Sequence, residues 1–251
     1  MSKISIITAT FNSQDTILET YNSLCAQTFS EWEWLVTDDC STDSTWSILK
    51  KIAANDSRVS LCRNENNSGA AITRNNSLSR INGGYVAFID SDDIWLPEKL
   101  QEQLLFMESN KNVNFSYTAY ELIDEDGNSL NRFVDLKTPE SVNYKDMLMK
   151  KATLGCSTVM LRSSTFKDLV MPNYRTGQDY AFWLKLLKCN QNAYLLRRVL
   201  TQYRILPNSI SRNKLGKAKR QWQIYTECEG ISLIESCWYF LNYAFRALFR
   251  K

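Results

Sequence analysis

The N-terminal half of the chain alternates short apolar runs with segments of helical periodicity, and no other feature narrows its possible folds as much. "ISIITAT", "EWEWLVTDD", "RVSLCRN" and "GYVAFID" read as strands. Between them, "DTILETYNSLCAQ", "STDSTWSILKKIAAN" and "GAAITRNNSLSRI" carry apolar residues at helical spacing, the second with a Ser/Thr/Asp start. Pro97 opens a fourth helix, "PEKLQEQLLFMESN", at a first-turn position where its missing N–H costs little. Strand and helix alternating at this spacing predict βαβ units and a mostly parallel sheet. Such a sheet places ligands beyond the carboxyl ends of its strands.

The second half is less regular. "VNFSYTAYELI" predicts a strand before the turn "DEDGNS", "CSTVMLR" a short strand, "QDYAFWLKLLKCN" a helix and "AYLLRRVLTQYRI" two short strands. From Lys214 onward the pattern is helical. There is no internal repeat and no low-complexity linker, and 251 residues suit one α/β core with an elaborated second half.

Composition removes several classes of function. A net charge of +3 gives no reason to expect nucleic acid as a partner. The 7 cysteines are odd in number, widely spaced and without a CxxC, which argues against a disulfide framework or a zinc site. Histidine is absent, so a general base must be a carboxylate, Lys, Tyr or Cys. The apolar start is too short for a signal peptide, and no run reaches the length of a membrane span. Neither a Walker A pattern nor a G-x-G-x-x-G follows the first strand.

What does stand at the strand ends is acid. "YVAFID" runs into Asp90, Ser91, Asp92 and Asp93. Carboxylates this close repel one another unless a hard cation such as Mg²⁺ or Mn²⁺ neutralises them. A solvated acidic turn is the equal alternative for that stretch taken alone. A second pair, Asp38 and Asp39, ends the second strand, where Ser41 or Asp43 also suits a helix N-cap.

Five stretches in order, "SIITATFN", "SLCAQTFSEWEWLVTDDCSTD", "NNSGAAITRNNSL", "GGYVAFIDSDDIWLP" and "GQDYAFWLKLL", resemble glycosyltransferase family 2 with the GT-A fold, over about residues 3–206. The resemblance implies an α/β, Rossmann-like, mostly parallel sheet flanked by helices. Residues 1–110 would form the nucleotide-sugar-binding half. Residues 111–206 would form the acceptor and catalytic-base half of the same domain, and 207–251 a flexible loop and amphipathic helices. It implies a donor site of Thr8, Phe11, Asp38, Asp39, Arg74, Asp90, Ser91 and Asp92. Asp39 would accept from the uracil imide and Arg74 would meet phosphate, while Phe11 is equally a core aromatic. Asp92, with Asp90 and Asp93, would hold Mn²⁺ or Mg²⁺. Asn75 and Asn76 would cap or brace the neighbouring loop.

Asp179, at a helix start that favours an ionised carboxylate, is the expected general base. Gln178 stands where the family commonly has glutamate, and Ala9 where it often has proline. Gln178 and Trp183 fall on the acceptor side, although Trp183 is equally a core residue. Arg204 and Arg212, in "QYRILPNSISRNK", fall on a donor-covering loop or are simply solvated.

The chain ends in "ISLIESCWYFLNYAFRALFRK", aromatic and apolar with basic residues at its end. It suits a helix lying in a membrane interface, or one packed on the core or in a homodimer. The combined expectation is an inverting, metal-dependent hexosyltransferase. It would move glucose, galactose or an N-acetylhexosamine from a UDP-sugar to a polyprenyl-diphosphate-linked sugar in O-antigen or capsule synthesis. Its setting would be peripheral, on the cytoplasmic face of a bacterial inner membrane. The rival readings are a sugar-nucleotide nucleotidyltransferase, whose glycine-rich basic loop "TATFNSQ" lacks, and a non-catalytic carbohydrate-binding module at the membrane.

Overall fold

Strands and helices alternate through the first half as β1 (Ile4–Thr10), α1 (Ile17–Cys25), β2 (Trp32–Asp38), α2 (Thr45–Asn55), β3 (Val59–Arg63), α3 (Ala70–Leu78) and β4 (Tyr85–Phe88). The computed structural model describes residues 3–189, 191–206 and 214–249. β1 lies parallel to β2 and to β4, and β2 lies parallel to β3. These strands read as unbroken apolar runs because the sheet is covered on both sides. Side chains alternate between two cores. Ile6, Trp34, Tyr85 and Ala87 face a layer that includes α1 and α2; Ile7, Leu35, Val86 and Phe88 face α3.

The second half extends the same sheet. It adds β5 (Ile94–Trp95), α4 (Lys99–Ser109), β6 (Phe115–Ile123), β7 (Ser129–Val134), β8 (Ser141–Val142), α5 (Tyr144–Leu148), β9 (Met160–Arg162), α6 (Gln178–Leu187) and β10 (Ala193–Arg204). The strand order is β3-β2-β1-β4-β9-β6-β10-β5, with β7 on β6 and β8 on β10. β9 runs antiparallel to β4 and β6, and β6 runs parallel to β10.

Three local expectations change. The helix expected at Pro97 begins at Lys99, and the Pro97 carbonyl instead accepts from the Thr28 N–H at 2.9 Å. "AYLLRRVLTQYRI" forms one strand: pairing with β6 continues through register shifts on either side of Val199, which absorb the residues that look like a break. "CSTVMLR" is strand only from Met160, because Cys156–Thr158 coil into a 3₁₀ turn.

The C-terminal segment comprises α7 (Lys214–Gln223), a π turn (Ile224–Cys228) and α8 (Leu233–Phe249). Ile224 and Tyr225 are both buried, and the Tyr225 hydroxyl donates to the Leu148 carbonyl at 2.6 Å. Tyr239 and Phe240 of α8 pack on the core, with the Phe240 ring edge-on to Trp222 at 5.6 Å. On its other side Ile234, Trp238, Leu241 and Phe245 are 85%, 62%, 66% and 63% exposed. No helix among the described residues is long and apolar enough to cross a membrane.

Candidate active site

The chain leaves β1 toward β2 on one side and enters β4 on the other, so a crevice opens at their carboxyl ends. Phe11, the first residue after β1, is 47% exposed there and is not a core aromatic. The loops around it are tied down. Asn12 N–H donates to Ser41 Oγ, the Ser13 and Ser91 hydroxyls bond at 2.8 Å, and Thr16 donates to the Ser91 carbonyl. Thr8 does not reach the crevice. Its buried hydroxyl donates to the Ile89 carbonyl and accepts from the Trp34 indole, so it fixes β1 against its neighbours.

Asp38 and Asp39 are both buried. Asp38 accepts from the Ser41 N–H at 3.0 Å and pairs with Arg63 at 3.1 Å. Asp39 accepts from Asn64 Nδ2 (2.7 Å) and from the N–H groups of Ser68 and Gly69 (each 2.8 Å). It therefore pins the turn before α3, where Gly69 has a φ of 85° that a side chain would strain. Asn64, which no sequence motif singles out, is part of this brace and also accepts from Asn76.

The acidic strand end divides by role. Asp90 accepts from Arg74 Nη2 at 2.5 Å, and its backbone N–H is held by Ser157. No other residue donates to the Asp92 carboxyl among the described residues. Burial, then the neighbouring Asp90 charge, push it up to about 6. Asp93 does not join them. It is fully buried, with one oxygen on Ser157 Oγ at 2.5 Å and the other on the Arg204 N–H at 3.0 Å. Accordingly, no cluster of three metal-ligating side chains forms among the described residues. Asp92 and the free oxygen of Asp90 remain, which suits Mg²⁺ or Mn²⁺ completed by water and phosphate oxygens.

Arg74 is the hinge of the site. Its side chain is almost fully buried, yet Nε and Nη1 have no partner. Asp90, Asp179 and Cys156 all lie close enough to act on its charge. The next residue, Asn75, binds both backbone groups of Met171, donating to the carbonyl at 2.9 Å and accepting from the N–H at 2.7 Å. Asn75 thus braces a loop as expected. α3 thereby carries the cation and also holds the approach to α6. Asp179 lies in the first turn of α6, after Gly177 in the left-handed conformation, and no described residue hydrogen-bonds or ion-pairs with it. The Oε1 of its neighbour Gln178 is also buried and without a partner.

Of the two readings open for Trp183 the structure takes the core one, and Arg204 is neither on a donor-covering loop nor solvated. Trp183 is fully buried, donates its indole N–H to the Leu154 carbonyl at 3.1 Å and packs edge-on against Phe88 and Phe115. No ring face is open to a sugar. Arg204 is 2% exposed and spends Nε on the Asp92 carbonyl, Nη1 on the Glu125 carbonyl and Nη2 on Glu19. It locks β10 to the acidic turn, with every guanidinium nitrogen bonded inside the protein and the side chain buried away from the crevice. Arg212 lies outside the described residues.

Comparison with known proteins agrees with this fold. The family model "Glycosyl transferase family 2" matches residues 5–204. TuaG of Bacillus subtilis, named for teichuronic acid biosynthesis, is 42% identical over 99% of this chain and 97% of its own. The UDP-Glc:alpha-D-GlcNAc-diphosphoundecaprenol beta-1,3-glucosyltransferases WfgD and WfaP of Escherichia coli are 36% and 40% identical. They cover 96% and 88% of this chain, and 91% and 84% of their own. The crystal structure of S. aureus TarS with UDP superimposes with a TM-score of 0.69 at 25% identity, over 90% of this chain and 66% of that one. The fold is that of GT-A glycosyltransferases, and the chain belongs to glycosyltransferase family 2.

Proposed function

We propose that the protein is an inverting hexosyltransferase that moves a sugar from a UDP-sugar to a lipid-diphosphate-linked acceptor sugar. One observation carries this reading: Arg74, with two buried guanidinium nitrogens that have no partner, pairs with Asp90 and is within electrostatic reach of Asp179. That arrangement sets an anion site beside a place for a metal diphosphate and within reach of a free carboxylate. The names of WfgD and WfaP supply the acceptor class, and the TarS complex with UDP supplies the nucleotide.

In this mechanism the donor's base lies beside Phe11 and its diphosphate lies toward Arg74. Asp92 and Asp90 would hold Mn²⁺ or Mg²⁺, which supplies charge stabilisation for the departing diphosphate. Asp179 takes the proton of the acceptor hydroxyl. The oxygen attacks the anomeric carbon from the face opposite the diphosphate, forming the new C–O bond as the bond to UDP breaks. One displacement turns an α-linked donor into a β-linked product, with the proton left on Asp179. The exposed ridge of Ile234, Trp238 and Leu241 meets the membrane that carries the acceptor.

The test is acceptor-dependent release of UDP from a panel of UDP-hexoses, with a polyprenyl-diphosphate-linked GlcNAc as acceptor and NMR of the product anomer. A β-linked product from one donor is expected. UDP release that ignores the acceptor, or an α-linked product, would contradict the reading.

A further inference from the structure

Two cations on α7 have no carboxylate of their own. Lys217 and Arg220 stand one turn apart, and neither has an ion-pair partner among the described residues. Arg220 lies against Gly177: a Cβ added there would come within 2.7 Å of Arg220 Cδ. Glycine at the start of α6 therefore makes room for this arginine, as well as supplying its φ of 74°. Burial pushes the Arg220 charge down, opposed first by Asp179 and then by Tyr243 of α8. Burial and the Arg220 charge together push Lys217 down. Arg220 Nε is buried with no acceptor.

Two like charges held one turn apart repel each other, and an anion bound between them relieves that repulsion. The position selects which anion. On one side is Asp179, the base of the proposed reaction; on the other is α8, whose far face is apolar and exposed. A ligand matching that sequence has a hydroxyl, then a sugar ring, then an anionic group, then a hydrocarbon chain.

We propose that Lys217 and Arg220 bind the diphosphate of the lipid-linked acceptor, with its sugar held at Asp179 and its lipid led along α8 into the membrane. The site is separate from Arg74 and the acidic turn, which serve the donor. It rests on the transferase reading above for the identity of the ligand, and on α7 alone for the anion site. A guanidinium and an amine one turn apart suit the several oxygens of a diphosphate better than a single carboxylate.

The experiment measures binding by the full-length chain, with UDP and Mn²⁺ present in excess to fill the donor site. The probes are farnesyl diphosphate, farnesol and phosphatidylglycerol vesicles. Arg220→Gln and Lys217→Gln should each weaken farnesyl diphosphate binding about tenfold or more, the scale for losing a charge-assisted contact. Lys217 is exposed, so its loss cannot be put down to unfolding. Lys219→Gln, on the same helix, should stay within about twofold. Farnesol should bind wild type much more weakly than the diphosphate.

Equal binding of farnesol, wild-type affinity in both variants, or an equal loss in Lys219→Gln would overturn the site. Parallel loss of vesicle binding in the two variants would mean that α7 reads membrane headgroups, and would overturn it too. No sugar donor enters this assay. A chain that passes it but transfers no sugar would refute the function and keep the site; undisturbed transfer by the two variants would do the reverse.

Discussion

Asp92 carries a cost in the metal-free protein that its chemistry explains. An aspartate pushed up to about 6 holds its proton more tightly folded than unfolded, where the value is near 3.8. Its folding contribution is therefore favourable at low pH and is lost as pH rises through about 6. Asp92→Asn should make the metal-free protein more stable at pH 8, by on the order of 1–2 kcal/mol after allowance for solvent screening. Added Mn²⁺ should raise the Tm of the wild type and leave the variant unmoved. Thermal melts at pH 5 and pH 8, with and without Mn²⁺, check both. A variant less stable at pH 8, or one equally stabilised by Mn²⁺, would contradict the role given to Asp92. The sequence made the acid cluster obvious but not its division of labour. Asp90, Asp92 and Asp93 look alike in "DSDD"; Asp93 is distinguished only by Ser157 and Arg204, which are 64 and 111 residues away.

At the scale of elements, α3 couples the two halves of the site. Arg74 faces the acidic turn while Asn75 holds the backbone of Met171 before α6. Asn75→Ala removes both bonds and should cost about 1–2 kcal/mol, the worth of a pair of partly buried hydrogen bonds. It should lower acceptor-dependent kcat while leaving the KM for UDP-sugar near wild type, because the donor loops are tied elsewhere. A raised donor KM with unchanged kcat would mean that α3 serves the donor alone. The elements of the first half were legible because each carries its own periodicity. β5 and β8, two residues each, carry none and exist only through pairing with β10. Trp183 illustrates the same limit: one turn after Asp179 its position left ligand contact and core equally open, and only Phe88 and Phe115, from distant strands, make it core.

For the whole molecule, the tail packs one face on the core and leaves the other exposed. α8 covers the core with Tyr239 and Phe240 and turns Ile234, Trp238 and Leu241 outward. Removing the helix would bare Trp222 and Tyr225, so substitutions on the outer ridge are the cleaner probe. Trp238→Glu with Leu241→Glu should leave Tm nearly unchanged, since both side chains are already in water. Sedimentation with anionic vesicles should fall about tenfold or more, given the hydrocarbon area lost. Undiminished sedimentation would place the membrane contact elsewhere, and a change from dimer to monomer would assign the ridge to a second copy of the chain.

The proposed transfer depends above all on Asp179 acting as the base. It is the free carboxylate at the mouth of α6, in a chain with no histidine, and Arg74 couples it electrostatically to the donor side. The decisive measurement is steady-state kinetics of Asp179→Asn with the lipid-diphosphate-linked acceptor and its UDP-sugar. The kcat should be lower by a factor of roughly 10² to 10⁴, the range for a positioned acid or base, with the donor KM near wild type. A kcat within a few-fold of wild type would show that another group takes the proton.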